Sequence, residues 1–162
     1  MFDVVLFAPE IPPNTGNIIR LCAATGARLH LIEPLGFELD DRRLRRAGLD
    51  YHEFASVTVH ASLRAFQTQR APRRLFAQSR FASTGLYETR FQAGDALLFG
   101  AESRGLPADL DTHLPVHARV RIPMRDGIRS LNLANAVAVT LYEALRQCGP
   151  RTGDGLVFPD SD

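Results

Sequence analysis

Three short segments combine amide, carboxylate and arginine side chains with the glycines and prolines that are typical of tight loops. The first spans residues 9–20 and holds Asn14 and Arg20, the second spans residues 100–107, and the third spans residues 122–132. Glycines let a backbone approach a ligand closely, and the first N–H groups of a helix can bind one. No segment carries the glycine pattern of a dinucleotide-binding fold or a P-loop. The segments predict a binding site of another kind.

Each segment alone also has an ordinary structural explanation. Asn14 can simply cap a helix, and the glycines can simply form turns. Arg20 is harder to explain in this way, because Ile18, Ile19 and Leu21 place it at the edge of an apolar helix face. Arg20 is therefore the stronger candidate for chemistry.

The cysteines and histidines do not indicate a metal centre or a disulfide scaffold. Cys22 and Cys148 stand far apart, and no CxxC or HExxH pattern or histidine–cysteine cluster is present. Two reduced thiols in or near a core are expected from this arrangement. No metal is predicted.

The basic residues are all arginine, and they are clustered although the net charge is only +1. Four of them, Arg42, Arg43, Arg45 and Arg46, lie within five positions on a predicted helix that begins after Asp40. Arginine presents a planar fork that suits phosphate groups. The cluster predicts either a solvated helix face or a surface that contacts RNA phosphates.

The chain length and hydropathy indicate one domain outside the membrane. The 162 residues contain no apolar run of about 18 residues, and the first residues lack the basic region of a signal peptide. We expect one domain over residues 1–148, a poorly ordered tail over residues 149–162, and a cytoplasmic protein.

Apolar periodicity alternates between strand and helix patterns along the chain. Strands are predicted at residues 3–8, 28–33, 56–60, 74–78, 96–99 and 119–122, and helices at residues 15–25, 40–48, 62–69 and 131–147. Asn14 is the expected N-cap of the first helix, and residues 80–95 are expected to form a loop or a weak helix. This alternation predicts an α/β fold: a mostly parallel sheet with helices on both faces, which brings the three segments to the carboxyl ends of strands.

Taken together and in this order, the three segments resemble motifs of a known enzyme superfamily. The motifs are PxNTGNIIR at residues 12–20, FGxExxGLP at residues 99–107, and IPM…SLNLANAVAV…YEA within residues 122–144. The chain resembles the RNA 2′-O-ribose branch of the SPOUT methyltransferases. The segments PEIPPNTGNIIRLC, LHLIEPLGF and RRLRRAGLDYHEF resemble, more narrowly, the bacterial TrmL-type enzymes that methylate the tRNA wobble nucleotide.

The resemblance implies a fold and a reaction. It implies a C-terminal trefoil knot that binds S-adenosylmethionine, a homodimer, and methylation of the 2′-hydroxyl of nucleotide 34 in the tRNA anticodon stem-loop. The nucleotide would be cytidine or modified uridine, in leucine isoacceptors, and the product would be S-adenosylhomocysteine. The alternatives are a relative that acts on another tRNA position or on ribosomal RNA, and a small-molecule binding module without catalysis.

The resemblance also assigns site residues. It implies that Arg20 acts on the ribose hydroxyl, and that Asn14 holds the ribose or supports Arg20, with Ser130 or Asn132 as alternative polar partners. Independently of the resemblance, the charge of the cluster predicts phosphate contacts by Arg42, Arg43, Arg45 and Arg46. The implied cofactor-binding residues are Gln78, Gly100, Glu102, Ile122, Met124, Ser130, Leu131 and Leu133.

Overall fold

The structure, a computed structural model, describes residues 1–38, 57–115 and 118–148, and its framework is one seven-stranded sheet. The strands are β1 (Asp3–Phe7), β2 (Arg28–Ile32), β3 (Val57–His60), β4 (Leu75–Gln78), β5 (Thr84–Gly85), β6 (Ala96–Phe99) and β7 (Arg119–Arg121). The helices are α1 (Pro12–Thr25), α2 (Leu63–Arg70), α3 (Ala108–His113) and α4 (Leu133–Cys148), with a short 3₁₀ turn at Leu86–Glu88.

All the strand pairs of this sheet are parallel, in the order β3-β2-β1-β6-β4-β7-β5. The two central strands read DVVLF and ALLF, and most of their residues are buried. Such continuous apolar runs are expected where helices cover both faces of a parallel sheet. The predicted α/β class is confirmed, whereas the trefoil knot and the boundary at residue 148 stay predictions.

Two hydrophobic cores lie on opposite faces of the sheet. Because side chains alternate along a strand, Val4 and Leu6 of β1 join one core and Val5 joins the other. The first core includes the buried faces of α1 and α4, for example Ile18 and Leu141. The second includes the buried face of α2, and α3 packs against it. Helices therefore cover both faces, as predicted.

The predicted N-cap of the first helix is wrong. Helix α1 begins at Pro12, after Ile11, and no side chain caps it. Two prolines occupy its first positions, where the missing N–H groups would have no helical partner in any case. Asn14 lies inside the first turn instead, and its side chain is used elsewhere.

The last helix begins two residues later than predicted. Helix α4 starts at Leu133 rather than Leu131, because the Asn132 side chain accepts hydrogen bonds from the N–H groups of Ala134 at 2.9 Å and Asn135 at 3.4 Å. This is the bonding of an N-cap residue. Asn132 therefore ends the third loop.

Residues 80–95 differ from the expected loop or weak helix. They contain the two-residue strand β5, which pairs with β7, and the 3₁₀ turn that follows it. A strand this short leaves no alternating pattern in the sequence, so tertiary pairing alone defines it. The predicted helix at residues 40–48 and the tail lie outside the described residues.

A buried polar network connects β1, β2 and β3 beneath α2. His30 places one ring nitrogen 3.0 Å from Asp3 Oδ1 and the other 3.0 Å from Nε2 of His60. Arg28 donates two further hydrogen bonds to the Asp3 carboxylate, and Arg70 donates one. Bonding to His30 and Arg28 outweighs burial and lowers the pKa of Asp3. These hydrogen bonds compensate the Asp3 carboxylate for its loss of contact with water, which would otherwise make its burial costly.

Candidate functional site

The three predicted loops meet at the carboxyl edge of the sheet. They follow β1, β6 and β7, and β4 lies between the last two. Parallel strands end at the same edge, so the fold brings residues that are far apart in sequence into one region.

Glu102 connects the second loop to the first. Its Oε2 accepts a hydrogen bond from the N–H of Glu10 at 2.7 Å. Its Oε1 accepts from the N–H of Ile11 at 3.2 Å and from Asn14 Nδ2 at 2.9 Å. Glu102 thus places a carboxylate at the N-terminal end of α1, where negative charge is favourable. The contacts shown for this residue are structural, so its predicted cofactor role stays a prediction.

The carboxylate of Glu10, in the first loop, binds the second loop. Its carboxylate accepts hydrogen bonds from Ser103 Oγ at 2.7 Å and from the Ser103 N–H at 2.9 Å. These two bonds lower the pKa of Glu10, and the guanidinium of Arg104, 4.0 Å away, adds to the effect. The two carboxylates hold the first and second loops together.

Asn14 continues the connection to the third loop. Its Oδ1 accepts a hydrogen bond from Asn132 Nδ2 at 2.9 Å, while its Nδ2 donates to Glu102. Glu102, Asn14 and Asn132 therefore form one hydrogen-bonded series, called the amide bridge below, across all three loops. Of the two alternative partners that the sequence offered, the structure brings Asn132 and not Ser130 to Asn14.

Gly100 is required by close packing inside its own loop. A Cβ at this position would lie 2.1 Å from the carbonyl carbon of Gly105 and 2.2 Å from the N of Leu106. Gly105 itself has φ +71°, and its N–H donates to the Ala101 carbonyl at 2.7 Å. The glycines thus let the loop close on itself, and the predicted cofactor contact of Gly100 stays a prediction.

The predicted cofactor residues lie at the ends of three neighbouring strands. Gln78 ends β4, Gly100 follows β6, and Ile122 follows β7. The Gln78 Oε1 is buried and has no hydrogen-bond partner among the described residues. Ile122 and Leu133 are buried, and Met124 is half-buried. An unpaired buried acceptor beside apolar side chains fits a ligand with an amine donor and an apolar ring.

Other predicted residues are exposed to solvent. Arg20 is exposed on α1, and Ser130 and Leu131 are exposed in the third loop. The predicted phosphate-contacting residues, Arg42, Arg43, Arg45 and Arg46, lie outside the described residues. The sequence reasoning missed Glu10 and Ser103, because their contact joins residues 93 positions apart and leaves no local signal.

Neither a metal-binding cluster nor a membrane-spanning helix is found among the described residues. Within residues 1–38, 57–115 and 118–148, no three histidine, cysteine or acidic side chains are grouped so as to hold a metal ion. In the same ranges, no helix has both the length and the apolar character needed to cross a membrane.

The chain was compared with known families, curated proteins and solved structures. The model of the SpoU rRNA Methylase family matches residues 1–142. A tRNA (cytidine(34)-2′-O)-methyltransferase of Aeromonas hydrophila is 61% identical over 149 residues, which cover 92% of this chain and 96% of that protein. A structure solved for "2-OH methylation of C/U34 on tRNA" has a TM-score of 0.82 and 50% identity, over 91% of this chain and 95% of the other.

A more distant structure contains the cofactor. The SpoU methyltransferase AviRb of Streptomyces viridochromogenes, solved in complex with AdoMet, has a TM-score of 0.75 and 28% identity, and covers 90% of this chain and 57% of its own. These similarities confirm the resemblance drawn from the three loop motifs. With its parallel sheet, its bridged loops and a family match over most of its length, the chain belongs to the SpoU methylase family.

Proposed function

We propose that this methylase transfers a methyl group from S-adenosylmethionine to the ribose 2′-hydroxyl of nucleotide 34, a cytidine or modified uridine, in the anticodon stem-loop of tRNA. The observation that carries the proposal is the amide bridge, which holds the three motif loops at one sheet edge. The 61% identical relative, whose name specifies cytidine 34 of tRNA, supports the choice of nucleotide.

The cofactor site is assigned to the ends of β4, β6 and β7. Gln78 would accept a hydrogen bond from the adenine amine, and Ile122, Met124 and Leu133 would form apolar walls around the ring. When bound, the cofactor would supply an electrophilic methyl group on a sulfonium, and the proton of the methylated hydroxyl would pass to solvent water. Transfer from a sulfonium needs no metal.

Arg20 is assigned to the acceptor ribose. An arginine guanidinium stays protonated at neutral pH, so it is unsuited to removing the hydroxyl proton. It can instead orient the ribose and stabilise negative charge that develops on the 2′-oxygen. Because both ends of the Asn14 amide already bind other loops, Asn14 is assigned to holding the loops in register.

The resemblance to TrmL-type enzymes supports finer assignments. We extend the proposal to leucine isoacceptors as substrates, to a homodimer with a C-terminal knot, and to a cytoplasmic protein. The alternative is a family member that methylates another tRNA position or ribosomal RNA. The relative's name and its 61% identity favour nucleotide 34.

A transfer assay tests the proposal. Purified protein and methyl-labelled S-adenosylmethionine are incubated with anticodon stem-loop RNA that carries cytidine at position 34. The matched control RNA carries 2′-deoxycytidine at that position. We expect label in the first RNA and none in the second. Equal labelling of the two RNAs would contradict ribose 34 as the acceptor.

A further inference from the structure

A cavity that the cofactor assignment does not use opens at the same sheet edge. It has a volume of about 440 Å³ and lies between the ends of β1, β2 and β6. Phe7, Leu35 and Pro107 contribute apolar walls, while Glu10 and Arg104 contribute charged groups. The volume falls within the range of ligand pockets, roughly 300–1,000 Å³.

The cavity lies where the chain topology opens the sheet edge. After β1 the chain enters α1, which packs on one face of the sheet, and after the neighbouring β6 it enters α3, which packs on the other face. Adjacent strands whose connections leave toward opposite faces create a crevice at their carboxyl ends. The fold itself therefore makes this cavity, independently of the cofactor residues.

A hydrogen bond connects the wall of the cavity to the amide bridge. The N–H of Glu10 binds Glu102, which also binds Asn14. The Glu10 carboxylate binds Ser103, next to Arg104 in the second loop. These bonds connect the cavity wall to the first motif, which also carries Arg20, the residue assigned to the acceptor ribose.

The charged groups match the edges of a pyrimidine. A carboxylate accepts a hydrogen bond from the N4 amine of cytosine, and a guanidinium donates to the O4 or O2 of uracil. Arg104 is 87% exposed at the side chain, so it has room to turn toward a bound base. Single-stranded RNA bases are recognised by such edge contacts together with packing on their flat faces.

We propose that this cavity binds the base of the acceptor nucleotide, a pyrimidine turned out of the anticodon loop. The proposal rests on the proposed function and adds the part of the site that holds the base. Apolar walls pack on the ring, and Glu10 and Arg104 meet its polar edge. Turning a base out of a single-stranded loop costs less than extruding it from a duplex.

The test combines protein variants with a substrate that lacks the base. Arg104→Ala removes an exposed charge without disturbing the core, and Leu35→Trp fills the cavity. Arg64→Ala, at an exposed position of α2, is the matched control for loss of one positive charge. Each protein is assayed for kcat/KM on anticodon stem-loops that carry either cytidine or an abasic ribose at position 34, and for binding of S-adenosylmethionine.

We expect the two cavity substitutions to lower kcat/KM only when the base of nucleotide 34 is present. On cytidine RNA, Arg104→Ala and Leu35→Trp lower kcat/KM by about tenfold, the value of a hydrogen bond to a charged group. On abasic RNA, the kcat/KM of the wild-type protein is as low as that of the two variants on cytidine RNA, and neither substitution lowers it further. Arg64→Ala changes kcat/KM by the same factor on both RNAs. The affinity for S-adenosylmethionine is unchanged in all variants.

Two outcomes separate the possible failures. If the variants lower kcat/KM by the same factor on abasic RNA as on cytidine RNA, the cavity does not contact the base and the inference is overturned, while the proposed function stands. If wild type transfers no methyl group to cytidine 34 RNA, the proposed function itself fails.

Discussion

Asn14 and Arg20 have different surroundings although both belong to the first motif. Asn14 is buried, and its amide binds Glu102 at one end and Asn132 at the other. Arg20 is exposed on the next turns of the same helix. At the residue scale, Asn14 holds the loops together, and we propose that Arg20 meets the substrate.

Replacing Arg20 tests its assignment to the ribose. We expect Arg20→Ala to lower kcat by about a hundredfold or more, the usual effect of removing a group that stabilises developing charge. Arg20→Lys should restore little activity, because a point charge does not reproduce a planar fork. Calorimetry should show nearly unchanged affinity for S-adenosylmethionine. Normal turnover in either variant would remove Arg20 from the reaction.

Replacing Gly100 tests the packing of the second loop. The new Cβ of Gly100→Ala would collide with the backbone of Gly105 and Leu106, so the loop must move at a cost of about 1–3 kcal/mol. We expect cofactor affinity measured by calorimetry to fall roughly tenfold or more. Gly26→Ala is the control, because Gly26 has φ +69° at the end of α1 and no atom near its Cβ position. It should cost about 1 kcal/mol of stability and leave affinity unchanged.

At the element scale, the strands and helices followed from local patterns, whereas the loop contacts did not. The run DVVLF predicts a buried strand, and the spacing of Ala134, Leu141 and Leu145 predicts a helix; both elements are present, and these three side chains meet the core. The strand β5 and the helix α3 were missed, because two strand residues and six helix residues are too few to show a periodicity. The bond between Glu102 and Asn14 joins residues 88 positions apart, so it depends on the order of the strands and on no local signal.

The histidine pair across β2 and β3 should make stability depend on pH. Burial and the neighbouring His30 lower the pKa of His60 below its ordinary value. As the pH falls, the unfolded chain therefore takes up a proton at His60 before the folded chain does, and the free energy of unfolding decreases. The pKa of Asp3 is also lowered, so Asp3 reduces stability only at more acidic pH, below the ordinary pKa of a carboxyl group. We expect stability to decrease between about pH 7.5 and pH 5.5.

His60→Gln isolates this effect, because the glutamine amide can replace the Nε2 contact with His30 and does not titrate. Urea unfolding of both proteins across the same pH range provides the measurement. The variant should lose stability less steeply than wild type. If the free energy of unfolding falls equally steeply with pH in both proteins, the pair of His30 and His60 does not control the pH dependence of stability.

At the scale of the whole molecule, a net charge of +1 requires a local basic surface for RNA binding. We propose that the cluster of Arg42, Arg43, Arg45 and Arg46 provides it, and that in a dimer the cluster of one subunit lies near the methyl site of the other. The alternative is pairing with Asp40, Asp41 and Asp50 on a solvated face.

The double variant Arg45→Ala, Arg46→Ala separates these alternatives. If both arginines contact phosphates, tRNA binding weakens and the slope of log K against log salt decreases by roughly two units. Filter binding across a salt series gives the slope, and calorimetry should show unchanged cofactor affinity. Identical slopes would favour pairing on a solvated face. Light scattering tests assembly, and a fully active monomer would contradict a site shared between subunits.

The central claim is that the three bridged loops form one site that methylates the ribose of nucleotide 34. Mass mapping of anticodon fragments, with tRNA from cells that have or lack the gene, tests it most directly. The account predicts one additional methyl group on the ribose of nucleotide 34 in leucine tRNAs, present only with the gene. The same fragments from cells that express only the Arg20→Ala variant should lack it. A methyl group on a base, on another nucleotide, or present without the gene would contradict the account.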